Sequence, residues 1–138
     1  MLVDDSDTDN FINKRVLELS KFTNQILIKN SGRNALEYLN DNENNPEKLP
    51  DIIFLDINMP IVDGFVFLYE FEDFSEKIKS HCKIIILSSS NSKKDIDRII
   101  DNKYVVEFLT KPLSLDTVAN LKKSNLVKEK NLKPLGGK

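Results

Sequence analysis

Five short apolar runs divide the chain, at residues 1–3, 25–28, 52–55, 83–87 and 105–109. They are nearly continuous rather than alternating, which predicts strands covered on both faces, as in a parallel sheet. Between them, apolar residues recur at helical spacing: Ile12, Val16 and Leu19, then Ala35, Leu36 and Leu39. Phe67, Phe71, Phe74 and Ile78 form a longer stripe, followed by Ile96, Ile99 and Ile100, and finally Leu115, Val118 and Ala119. The phenylalanine stripe reads as core packing. Five strand–helix alternations predict a doubly wound α/β fold, a five-stranded parallel sheet with helices on both faces and right-handed crossovers. Residues 40–49, rich in Asn and Glu and containing Pro46, read as a solvated loop. The Lys-rich tail at 125–138 is expected to fray, leaving one domain over 1–124. The first strand has only three residues before an acidic pair, against about five or six for an average strand.

Composition narrows the class. The chain has 138 residues, 40% apolar and 30% charged, as in a soluble globular domain. Twenty basic against 22 acidic residues give a net charge of −2, with no electrostatic footprint for nucleic acid. No apolar run approaches the roughly 18 residues of a membrane span, and the N-terminus carries no secretory pattern. Cys82 is the single cysteine, which excludes an intrachain disulfide and fits a reducing cytoplasm; beside residues 84–87 it reads as a small buried hydrophobe. His81, the single histidine, lies in a polar connector without a zinc-binding neighbour set and reads as a solvated surface residue.

The candidate chemistry lies at the strand ends. Ligands of open α/β sheets bind outside the carboxyl ends of the strands. Asp4 and Asp5 follow the first strand, Asp56 closes the third, Ser88 closes the fourth, and Lys111 lies just past the fifth. Two like charges about 4 Å apart repel by about 4 kcal/mol at an effective dielectric near 20, so three grouped carboxylates need a cation. Lys111 supplies one charge. A hard divalent ion supplies the rest, and Mg²⁺ is the natural choice because it keeps waters and uses few carboxylates. A cation, a lysine, a hydroxyl and a carboxylate nucleophile are what phosphoryl transfer to an aspartate requires.

The motifs VDD at 3–5, LDINMPIVDG at 55–64, IIILSS at 84–89 and Lys111–Pro112 occur in the order found in response regulator receiver domains. The chain resembles that family over about residues 1–123. The resemblance implies a flavodoxin-like sheet of order 2-1-3-4-5, with Asp56 as phosphoacceptor and Mg²⁺ held by Asp5, Asp56 and the backbone carbonyl of Asn58. It makes Asp4 a second acid acting through water, and Ser88 and Lys111 the partners of the phosphoryl oxygens. It also implies a cis bond before Pro112, a turn at Asp63–Gly64 where glycine gives backbone freedom, and a switch shared by Ser88 and Phe108. Ser89 is the alternative hydroxyl. The spacing from Ser88 to Lys111 is slightly long for the family, which places an extra residue in the loop after the fourth strand. The implied role is a cytoplasmic signalling phosphoacceptor, not an enzyme acting on a separate substrate, with self-catalysed phosphotransfer and dephosphorylation. The donor is a histidine kinase or phosphotransfer protein. Output passes through a protein–protein surface of a monomer or weak homodimer, since 138 residues leave no room for an output domain.

Three other readings compete. Asp5–Asp9 imitates a calcium loop, but its sixth and twelfth positions are Asn10 and Val16 instead of glycine and glutamate. A receiver-like binding module that is never phosphorylated would not need Asp4, Asp5, Asp56 and Lys111 together. An aspartate-nucleophile phosphatase of the haloacid-dehalogenase type would want an acid two residues after Asp56, where Asn58 stands.

Overall fold

The computed structural model describes residues 1–89 and 92–124. Strands β1 (Leu2–Val3), β2 (Ile28–Lys29), β3 (Ile52–Leu55), β4 (Lys83–Ser88) and β5 (Val105–Thr110) form one sheet in the order β2-β1-β3-β4-β5. Every neighbouring pair is parallel. The helices are α1 (Asp7–Leu19), α2 (Gly32–Asp41), α3 (Gly64–Phe71), α4 (Glu76–Lys79), α5 (Lys93–Ile100) and α6 (Leu115–Lys123), with a 3₁₀ turn at Pro46–Lys48. Serine or aspartate caps start four of them: the side chains of Ser6, Ser31, Asp63 and Ser114 accept the N–H groups of Asp9, Asn34, Val66 and Thr117.

The continuous apolar runs follow from a sheet buried on both sides. Successive side chains of a strand point to opposite faces. Ile53, Leu55, Ile84 and Ile86 enter one core with Ala35, Leu39, Phe67 and Phe71. Phe54, Ile85 and Leu87 enter the other with Leu2, Leu17, Val118 and Leu121. Each buried Leu, Ile, Val or Phe side chain among them contributes about 1.5–3 kcal/mol of transfer free energy. Cys82 is buried in the first core.

Several elements differ from the sequence pattern. Leu2 pairs with Ile28 and Val3 with Lys29, so β2 is shorter and later than residues 25–28. Gln25 and Ile26 lie beyond the first residue of β1 and have no ladder partner there; Leu27 still accepts the Leu2 N–H at 2.7 Å. The phenylalanine stripe is split: α3 stops at Phe71, and after a turn through Phe74 the short α4 carries Ile78 inward. In α1 the apolar stripe is not the inner face. Ile12 is 40% and Leu19 61% exposed, and the buried residues are Asn10, Asn13 and Leu17. Each of the two buried amides makes a hydrogen bond to a turn, Asn10 to the one after β1 and Asn13 to the one after β5. Ile100 and Leu115 are exposed, while Ile99, Val118 and Leu121 face inward. In β5 the register with β4 shifts by one, from Ile84↔Val105 to Ile85↔Glu107. The strand therefore absorbs Val106 as a bulge, and part of the long Ser88-to-Lys111 spacing is taken up there. Ser90 and Asn91 of the preceding loop, and the tail expected at 125–138, lie outside the described residues.

Candidate functional site

Strand register assembles the site. Val3 pairs with Leu55 and Leu55 with Ile86, so the residues that follow β1 and β3 emerge side by side on one rim. The Asp56 N–H donates to the Val3 carbonyl at 3.0 Å, which places Asp56 next to Asp4. Asp4 Oδ1 accepts the Ser6 N–H at 2.9 Å, tightening the turn into α1. On the other side Ser88 pairs with Thr110, and the Lys111 N–H donates to the Ser88 carbonyl at 2.9 Å.

Asp4 and Asp56 are buried, at 4% and 5% exposure, while Asp5 faces solvent. One carboxylate oxygen from each lies within 4.8 Å of the others. The Lys111 ammonium sits among them, 2.5 Å from Asp4, 2.8 Å from Asp9 and 3.5 Å from Asp56. Burial pushes the Asp56 carboxyl up from 3.8 to about 6; Lys111 opposes this and Asp4 adds to it. Burial works against the Lys111 ammonium too, but its hydrogen bonds to Asp4 and Asp9 and the charge of Asp56 hold it above its ordinary value. Three carboxylates meet the one ammonium and Asp5 adds a fourth beside Asp4 and Asp56, so the site keeps a negative excess. Grouped, partly dehydrated oxygens with one open side suit a small hard cation.

The sequence profile of the response regulator receiver domain matches residues 1–122. The chain belongs to the response regulator receiver domain family. Among proteins similar to this receiver domain is the probable methanogenesis regulatory protein FilR2 of Methanothrix harundinacea. It is 32% identical over 116 residues, which cover 84% of this chain and 73% of that protein. The sensor histidine kinase CheAY of Helicobacter pylori is 31% identical over 91% of this chain but only 15% of its own length. A two-component response regulator from Cytophaga hutchinsonii has a similar structure, with a TM-score of 0.83 and 29% identity over 93% of this chain and 94% of that one. A response regulator receiver protein from Dyadobacter fermentans gives 0.78 and 28% over 88% and 92%.

The receiver domain brings Asp4, Asp5, Asp56 and Lys111 together. Asp9 joins them from the first turn of α1, a residue that the sequence singled out only within the rejected calcium-loop run. Asn58 is exposed, and its N–H approaches Asp56 Oδ1 at 3.4 Å. Ser88 is fully buried at the end of β4 and Ser89 is exposed. Phe108 is half-buried against the α2–α3 core. The Lys111–Pro112 bond is cis. His81 is remote, before β4, with its Nε2 3.0 Å from Asp51 Oδ1.

Gly64 requires a different account from backbone freedom, because among the described residues no glycine has positive φ. A Cβ there would lie 2.7 Å from Ile57 Cα and 3.1 Å from the Asp56 carbonyl oxygen. The glycine lets α3 start against the backbone that carries the phosphoacceptor candidate, and its N–H donates to the Ile57 carbonyl at 2.8 Å. Gly64→Ala is expected to destabilise the fold by about 1–3 kcal/mol, because backbone on both sides must yield. An unchanged urea midpoint would show that the contact relaxes freely.

Proposed function

We propose that this receiver domain is a phosphorylation switch in which Asp56 accepts a phosphoryl group from the phosphohistidine of a kinase or phosphotransfer protein. The observation that carries this reading is the Lys111 ammonium held between Asp4, Asp9 and Asp56, with three carboxylates converging at the strand ends. A carboxyl of pKa about 6 is mostly ionised at neutral pH, and burial strips it of hydration that would dull it as a nucleophile.

In the transfer, an Asp56 carboxylate oxygen bonds to phosphorus as the phosphorus–nitrogen bond of the donor breaks. The electron pair leaves with the imidazole, which takes up a proton. Lys111 pairs with the oxygens of the transferred group, a charge-neutralising role of the kind that dominates phosphoryl transfer. Asp5, Asp56 and the Asn58 carbonyl would hold Mg²⁺, with Asp4 acting through water. When bound, the ion supplies neutralisation of phosphoryl charge. Water later cleaves the acyl phosphate. Ser88 is the hydroxyl that follows the phosphoryl group, and Phe108 the aromatic that moves with it, shifting an existing equilibrium of α5, β5 and α6. The readout is a changed protein–protein surface.

Intact mass after incubation with acetyl phosphate and Mg²⁺ tests the reading. One phosphoryl group is expected on the wild type and none on Asp56→Asn. Equal labelling of both would move the site elsewhere. No label on either, under conditions that label a control receiver, would favour a docking module.

A further inference from the structure

We propose that Asn10 and Asn13 are positioning residues, and that the inward face of α1 is a polar brace between the turn bearing Asp4 and Asp5 and the turn bearing Lys111. The inference rests on the phosphoacceptor reading and extends it to residues that do not touch the transferred group.

The buried residues of α1 are Asn10, Asn13 and Leu17, so two amides stand where an amphipathic helix would place apolar side chains. They are 3% and 2% exposed. Burying an amide is unfavourable unless its hydrogen bonds are made, and each of these makes one to the main chain of a site turn. Asn10 Nδ2 donates to the Asp4 carbonyl at 2.9 Å, which fixes the peptide joining Asp4 to Asp5. Asn13 Oδ1 accepts the N–H of Leu113 at 3.3 Å, across 100 residues of sequence. Leu113 is itself buried, two residues after Lys111.

The two asparagines are three residues apart and share one helix face. Both line a narrow crevice that also meets Asp4, Asp56 and Leu87. Asn10 Oδ1 is buried there without a hydrogen-bond partner. A structural helix face would gain from an apolar residue at that point, so the unpaired acceptor indicates that the amide is kept for what its other end holds. One rigid helix thus sets the spacing between the carboxylates and the lysine.

The two halves of the brace have separable consequences. Asn10 governs the carbonyl between the two acids and so their geometry toward Mg²⁺. Asn13 governs the backbone after Lys111 and so the ammonium that meets the phosphoryl group. Isothermal titration of Mg²⁺ and the rate of labelling by acetyl phosphate at saturating Mg²⁺ read these independently. Asn10→Ala is expected to weaken Mg²⁺ binding about tenfold and to leave the saturated rate within about twofold. Asn13→Ala is expected to slow the saturated rate about tenfold or more, with Mg²⁺ binding unchanged or tighter, because the ammonium competes for the same carboxylates. Leu17→Ala, on the same buried face but away from both turns, is the control; it should lower the melting temperature and leave both parameters alone.

If both asparagine variants shift the two parameters together, in step with their melting temperatures, the role is only structural and the brace is refuted. The same holds if neither parameter moves. Should an alanine variant not fold, Asn10→Ser or Asn13→Ser keeps a small polar side chain and is judged by the same split. A wild type that binds Mg²⁺ without being labelled refutes the phosphoacceptor reading and the Asn13 half with it, while the titration still decides the Asn10 half.

Discussion

Lys111→Met is expected to slow phosphoryl uptake by about 10²–10³-fold, the usual loss when one preorganised charge is taken from a transition state. The same change should lower stability at neutral pH by about 3 kcal/mol, because it strands buried carboxylates instead of removing a whole ion pair. Methionine fills much of the space of the lysine stem, so the loss isolates the charge. The ammonium contacts Asp4, Asp9 and Asp56 at once, and Asp4 and Asp56 have little water to turn to. Two outside agents should therefore restore part of the stability. Acid protonates the stranded carboxyls, and Mg²⁺ binds the folded state alone and favours it by mass action. Urea midpoints at neutral and mildly acid pH, with EDTA or with Mg²⁺, measure both effects alongside a labelling time course. A variant as stable as wild type in EDTA at neutral pH would mean that the three contacts carry no net energy.

The parts of the site that were legible in the sequence are those that depend on strand ends. Asp4, Asp5, Asp56 and Lys111 each follow an apolar run, and a parallel sheet brings such positions to one rim whatever the details of register. The two-sided burial of β3 and β4 was equally plain, since Ile53, Phe54, Leu55 and residues 84–87 leave no polar alternate. The contributions of α1 were not legible. Apolar periodicity counts Ile12, Val16 and Leu19 and is blind to an amide whose partner is a main-chain atom. The partners of Asp9 and Asn13 lie 102 and 100 residues away. Only the closed fold reveals that Asn10 and Asn13 face inward while Phe11 and Ile12 face water. Gly64 belongs with them: its residue type was readable, but the reason for it is the approach of Ile57, which no local rule contains. The split between α3 and α4 was hidden because both pieces feed the same core and keep one apolar stripe.

Asp56→Asn should fold more stably than wild type at neutral pH while taking up no phosphoryl group, and the stability difference should vanish in acid. The carboxyl titrates near 6 in the folded chain against 3.8 when free. Between those values the folded state holds more protons than the unfolded one, so wild-type stability falls as pH rises through that window. The stabilising contribution of the protonated form is fully present below about 3.8 and lost as pH rises through about 6. Above that, the buried negative charge beside Asp4 is a standing cost of about 1–2 kcal/mol after screening at the open mouth of the site. Asparagine has nearly the same shape and no charge, so it removes the cost at neutral pH and has nothing to remove in acid. Asp4 and Lys111 are common to both proteins, so subtracting the two pH profiles, measured in EDTA, isolates residue 56. A difference that stays flat from pH 4 to 7 would mean that Asp56 ionises as it does in water, and that the strain in the site lies on another carboxylate. A difference that grows through that window ties the cost to Asp56 itself, the charge that phosphorylation would exchange for one that Lys111 and a bound cation are placed to neutralise.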